Sequence, residues 1–242
     1  DRPIIYFSKE HLRNNNYDFK ESYNNAKIKF QYPHSQNLRA KELLNGYRYG
    51  EMNPEQVFNI EKTGTLFALS ELIGYVHHLQ FHNIKFYYNL KEDRLEPIAN
   101  DFQFSNLEKW TPELLFTECL KRNDKDIKIP WANRLYQDQK FQNSVIKELK
   151  RLSSKGFLKS FFKNIREEEN IAKLIISKFD PLFVPDVAEI MFKNSQQINY
   201  ILKNPTDLEM SISIPDRVLT YKTKNYLPII PLSIYKDSTL VY

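Results

Sequence analysis

The chain of 242 residues carries 35 Lys and Arg against 30 Asp and Glu, with 41% apolar and 14% aromatic residues. That balance excludes a disordered chain, and the length suits one large domain or two small ones with a substantial core. A single cysteine, Cys119, excludes an internal disulfide framework and a cysteine-based zinc site, and no apolar run reaches the length of a membrane span.

The chain opens at Asp1 with neither Met nor signal peptide, which reads as a mature or trimmed piece. Residues 1–34 contain the apolar run Ile4, Ile5, Tyr6 and Phe7, an Asn-rich stretch, and an alternating segment from Ala26 to Tyr32 that reads as a strand. Leu38 to Tyr49 reads as a short helix with Gly50 near its end. Asn53-Pro54 then supplies an N-cap and a first-turn proline for one long helix, predicted to continue through Leu69, Leu72, Ile73 and Val76. At Ile84 the pattern changes to period two: Ile84, Phe86, Tyr88 and Leu90 share one face, and Lys85, Tyr87 and Asn89 the other. Lys91-Glu92-Asp93-Arg94 has hairpin-loop length, and Leu95 to Ala99 returns as a second strand.

Thr111-Pro112-Glu113 opens another helix, beginning Leu114, Leu115, Phe116. Residues 121–166 hold thirteen Lys and Arg against four Asp and Glu. Within them Phe141, Val145, Leu149 and Leu152 line one helical face and leave Lys140, Lys147, Lys150 and Arg151 outside. This face is either simply solvated or attracts an acidic partner, and no specific nucleic-acid motif accompanies it. Val187, Ile190, Met191, Ile198, Ile201 and Leu202 continue the helical part to Asn204-Pro205. Beyond it Leu208, Met210, Ile212 and Ile214 alternate, and the tail is predicted to be β-rich.

The predicted helix-to-hairpin passage gathers chemistry. His77, His78, His82 and Asn83 end the helix and open the hairpin, and Asp101 closes it, so imidazoles, an amide and a carboxylate share the hairpin mouth. Asn83 and Asp101 are oxygen donors of the kind hard cations take, although each also suits a turn. His78 reads as a structural histidine or a general base, and His77, His78 and His82 with Asp101 permit a transition-metal site. Tyr87 and Tyr88 read as packing residues. Glu42, Glu61 and Glu71 lie on helices where any could pair with an unseen Lys, and none is distinguishable from a surface Glu. The sequence holds no Gly-x-Ser-x-Gly, P-loop or Gly-x-Gly-x-x-Gly, so serine hydrolase, P-loop NTPase and Rossmann chemistry lack support.

In protein kinases a catalytic-loop Asp stands five residues before an Asn, a hairpin follows, and a second Asp joins that Asn in holding Mg²⁺ on ATP. Here His78 stands five before Asn83, and Asp101-Phe102-Gln103 follows the hairpin. From about Glu55 to Leu202 the chain resembles the CotH-like family, the spore-coat-type atypical protein kinases. The resemblance rests on Phe67 to Gly74, His82-Asn83 with Phe86-Tyr87-Tyr88-Asn89, and Leu95-Glu96-Pro97-Ile98 leading to Asp101; Asn133-Arg134-Leu135 with Phe141, and Asn194 to Leu202, add distant support.

The resemblance implies an α+β, protein-kinase-like fold: residues 1–204 form the domain, with 1–50 the remnant of a smaller lobe, and 205–242 form a tail or the start of a following module. It implies phosphoryl transfer from Mg·ATP to a protein hydroxyl, with Mg²⁺ and ATP as cofactors, Asn83 and Asp101 as metal and cofactor ligands, and His78 at the catalytic position. Two departures stand out. Active members resemble true kinases in having Asp where this chain has His78, and no Gly-rich loop or Val-Ala-Ile-Lys-like strand precedes Glu55. The competing expectation is a non-catalytic, pseudokinase-like scaffold within a larger surface or envelope protein.

Overall fold

The computed structural model describes residues 4–6, 34–80, 83–100, 130–179 and 186–204, and in the tail 208–213, 215, 218–223, 227, 235–236 and 239–240. The described residues form a mostly helical α+β structure with small antiparallel sheets. None of their helices is long and apolar enough to cross a membrane. The segments around Ala26–Tyr32 and Thr111–Phe116, for which a strand and a helix are predicted, lie outside the described residues.

Helix α1 (His34–Tyr49) begins before the predicted Leu38 and ends where Gly50 takes the left-handed φ of 79°. The single long helix expected after Pro54 is instead two, α2 (Pro54–Val57) and α3 (Ile60–Ile73). A tertiary contact breaks it. Phe58 turns extended and bridges Leu95, and the Asn59 backbone N–H donates to the Leu95 carbonyl (2.9 Å). Asn59 then restarts the helix as its N-cap, with its side-chain oxygen accepting from the Lys62 N–H at 3.0 Å. Helix α3 stops at Gly74, φ 75°, short of the predicted Val76. His77–Leu79 form a separate 3₁₀ turn.

Strand β1 (Ile4–Tyr6) pairs with β2 (Lys85–Asn89), which pairs with β3 (Arg94–Ile98), giving sheet order β1-β2-β3. The predicted alternation holds through Ile84, Phe86 and Tyr88, all buried. It fails at Leu90, which is exposed because the strand has already ended at Asn89. The turn closes at Asp93, whose φ of 50° is positive without being glycine.

After a 3₁₀ turn at Pro130–Ala132 come α4 (Asn133–Tyr136), α5 (Gln139–Leu152), α6 (Lys155–Asn164), α7 (Arg166–Phe179) and α8 (Val187–Lys203). In the tail, β4 (Leu208–Ser213) pairs with β5 (Val218–Thr223), and β6 (Tyr235–Lys236) with β7 (Thr239–Leu240). Helix α5 buries Phe141, Val145, Leu149 and Leu152 against α3, as its spacing predicts. Gly64 permits the close approach: a Cβ there would lie 2.9 Å from the Ser144 Cβ. Between these helices and the hairpin, Tyr47, Phe58, Phe67, Phe86, Trp131 and Phe141 build an aromatic core of edge-on and tilted pairs, with ring centroids 4.9–6.1 Å apart. Its polar edges are satisfied, because the Trp131 indole donates to the Leu79 carbonyl and the Tyr47 hydroxyl to the Trp131 carbonyl, both at 2.7 Å. The first bond ties the 3₁₀ turn that carries His78 to Trp131, and the second ties Trp131 to α1.

Candidate functional site

The hairpin mouth lies at the C-terminal end of α3, and the turn at its N-terminal end. His78 is 1% exposed. Its Nε2 lies 2.7 Å from the Ser70 hydroxyl, which itself sits 2.6 Å from the Leu66 carbonyl. The Ser70 hydroxyl is placed to donate to the Leu66 carbonyl, and with its single proton there it would accept from a His78 ring protonated at Nε2. Proton abstraction would therefore fall to Nδ1, within a nearly inaccessible ring. Tyr75 stacks on that ring, with centroids 6.0 Å apart and planes 21° from parallel.

Asn83 is half-buried, and its Nδ2 donates to the His77 carbonyl at 3.1 Å. This bond leaves Oδ1 as the side-chain atom that could meet a cation. Asn100 reaches across the mouth, its Nδ2 3.4 Å from the Asn83 carbonyl. His77, His78, Asn83 and Asn100 are thus brought to one end of α3, as the sequence predicts for the first three. His82 and Asp101, the other two expected members, lie outside the described residues. Among the described residues no group of three or more His, Cys, Asp or Glu is arranged to hold a metal ion.

Two carboxylates that the sequence does not single out are fully buried. Glu71, which the sequence does not distinguish from Glu42 and Glu61, has no exposure, whereas the other two are exposed. Glu96 is buried on β3, where it accepts from Lys62 Nζ, the Tyr87 hydroxyl and Asn89 Nδ2. Register explains the cluster: Tyr87 is the cross-strand partner of Glu96, and Lys62 sits in the first turns of α3 alongside. Tyr87 thus has a polar role beyond packing. The available signal was the pairing of Tyr87 with Glu96 once the hairpin register is set; the Lys62 partner comes only from the tertiary fold.

At the turn, Asp93 accepts from Arg39 Nη2 (2.6 Å) and Nε (3.0 Å), and from the Tyr88 hydroxyl (2.6 Å). The Arg39 guanidinium holds the Asp93 carboxyl below its ordinary value, while burial, helped by Asp93, pushes the Tyr88 phenol up to about 12. A groove of about 660 Å³ opens beside this end, lined among others by Glu55, Asn59, Lys62, Arg94, Lys140 and Lys147. Its charges are of both signs and several are internally matched: Lys140 pairs with Glu55, and Lys62 with Glu96. Part of the basic charge of 121–166 is thereby used within the chain. Arg151 likewise pairs with Glu148 (2.7 Å) and lies over Phe157 (5.0 Å).

No family model, curated protein or solved structure matches this chain.

Proposed function

We propose that this chain is a non-catalytic binding module, pseudokinase-like in plan, within a larger surface or envelope protein. The plan is supported by chain order: helix α3, a tight turn bearing His78, Asn83, and then the β2–β3 hairpin. The observation that carries the non-catalytic reading is the state of His78. A general base must reach the proton it takes, within about 2.6–3.2 Å or through one water. His78 is instead 1% exposed and turns its Nε2 into the core, 2.7 Å from the Ser70 hydroxyl. In this reading the imidazole fixes the 3₁₀ turn to α3, and Asn83 with Asp101 serves the fold or a bound ion.

Phosphoryl transfer from Mg·ATP is the second reading, favoured by Asn83. With its Nδ2 held by the His77 carbonyl, its Oδ1 could ligate a hard cation together with a carboxylate such as Asp101. Mg²⁺ would there neutralise phosphate charge. Calorimetric titration of the 242-residue chain with ATP, with and without Mg²⁺, separates the two. The binding-module reading expects no Mg²⁺-dependent ATP binding. A Mg²⁺-dependent heat that Asp101→Ala abolishes would favour the phosphotransferase.

A further inference from the structure

Helix α7 leaves three of its apolar residues uncovered by the described residues. Ile171, Leu174 and Ile175 are 59%, 60% and 51% exposed. At about 100° per residue they share one arc of roughly 120° with Glu167, Glu168 and Lys178. The half-buried positions Glu169, Lys173 and Ile176 lie on the opposite side, where Glu169 and Lys173 pair at 2.7 Å. The outward face therefore reads, from N- to C-terminus, acidic, apolar, basic. A 14-residue helix is marginal in water on its own and depends on covering its apolar stripe.

We infer that this face of α7 pairs with α7 of a second copy of the chain, antiparallel about a two-fold axis. The register follows from the sequence: with the axis between Ala172 and Lys173, Ile171 of each copy meets Leu174 of the other, and Glu167 meets Lys178 at the same time. One symmetric arrangement satisfies both the stripe and the charged ends. Antiparallel helix dipoles agree with it. A parallel pair would oppose Glu167 and Glu168 to themselves. A lipid surface fits less well, because interfacial helices carry a Lys- and Arg-rich polar face, whereas α7 balances Arg166, Lys173 and Lys178 with Glu167, Glu168 and Glu169. A helix pair about 21 Å long lies below the size of permanent interfaces, so the dimer is expected to dissociate at about 1–100 µM.

The test is sedimentation equilibrium of the 242-residue chain across that range, with circular dichroism to verify folding. Wild type is expected to dimerise reversibly, and Ile171→Glu/Leu174→Glu to stay monomeric and folded, losing at most the helix content of the 14-residue α7. Lys178→Glu is expected to weaken the dimer about tenfold, and Glu167→Lys/Lys178→Glu to restore it, because symmetry recreates both ion pairs. A wild-type chain that stays monomeric throughout, or a dimer indifferent to Ile171→Glu/Leu174→Glu, overturns the inference. Capture by anionic vesicles that this double variant abolishes, without a dimer, assigns the stripe to a lipid surface and overturns it as well.

Discussion

At its turn the β2–β3 hairpin is fastened to two helices by charged groups, whereas at its mouth it meets α3 through an imidazole and amides. Asp93 ties the turn to α1 through Arg39, and Glu96 ties β3 to α3 through Lys62. The mouth holds His78 on Ser70 and Asn83 on the His77 carbonyl, without an ion pair among these contacts. Charge at the turn is therefore largely internal and serves the fold. Of the two ends, the mouth keeps an oxygen donor at Asn83 Oδ1 with no partner among the described residues, which makes it the better place for a ligand and the weaker place for stability.

Variants at each end sharpen that contrast, and the largest effect is expected at Glu96. Glu96→Ala removes an acceptor shared by Lys62, Tyr87 and Asn89 and opens a buried gap, so chemical denaturation is expected to show a loss of about 3 kcal/mol. His78→Ala comes next, with an expected loss of about 2 kcal/mol from the missing Ser70 partner and the vacated volume. A loss near zero would mean that the imidazole is not fixing the turn.

Asp93→Ala is expected to cost about 1 kcal/mol, since Arg39 and Asp93 are both substantially exposed. Its pH signature is more specific. Because the folded Asp93 carboxyl lies below its ordinary value, its contribution is complete above about pH 4 and fades as pH falls through the lowered value. Tyr88 acts in the opposite sense: its raised phenol contributes fully below about pH 10 and loses that contribution as pH climbs through about 12. Unfolding curves of wild type and Asp93→Ala should therefore converge at acid pH, whereas at alkaline pH the gap should narrow without closing, because Arg39 stays charged and keeps its pair with Asp93. The smallest effect is expected at Asn83, where Asn83→Ala loses one neutral hydrogen bond and about 0.5–1 kcal/mol.

Local patterning made much of this architecture legible in the sequence. The buried face of α5, the alternation through Ile84, Phe86 and Tyr88, and α8 follow from apolar spacing alone. What the sequence could not show has causes far along the chain. The break between α2 and α3 comes from Phe58 bridging Leu95, and Glu96 is buried because Lys62 meets it from another element. Helix α7 is not among the predicted elements, and periodicity would in any case report only that an apolar face exists. Whether that face turns inward, as in α5, or outward, as in α7, depends on neighbours that spacing does not identify. At the mouth, the sequence places His77, His78 and Asn83 close together, and His82 and Asp101, the other expected members, lie outside the described residues. The sequence could not say that the His78 ring turns away from solvent, because Ser70, the group that holds it, lies on the preceding helix and makes an equally good surface residue.

The most direct test of the binding-module reading is transfer of the γ-phosphate of Mg·ATP to protein, measured on the 242-residue chain and on His78→Ala. No incorporation above background is expected from either. Incorporation by wild type that His78→Ala abolishes while the variant remains folded would contradict it, and would make His78 the base of an active phosphotransferase.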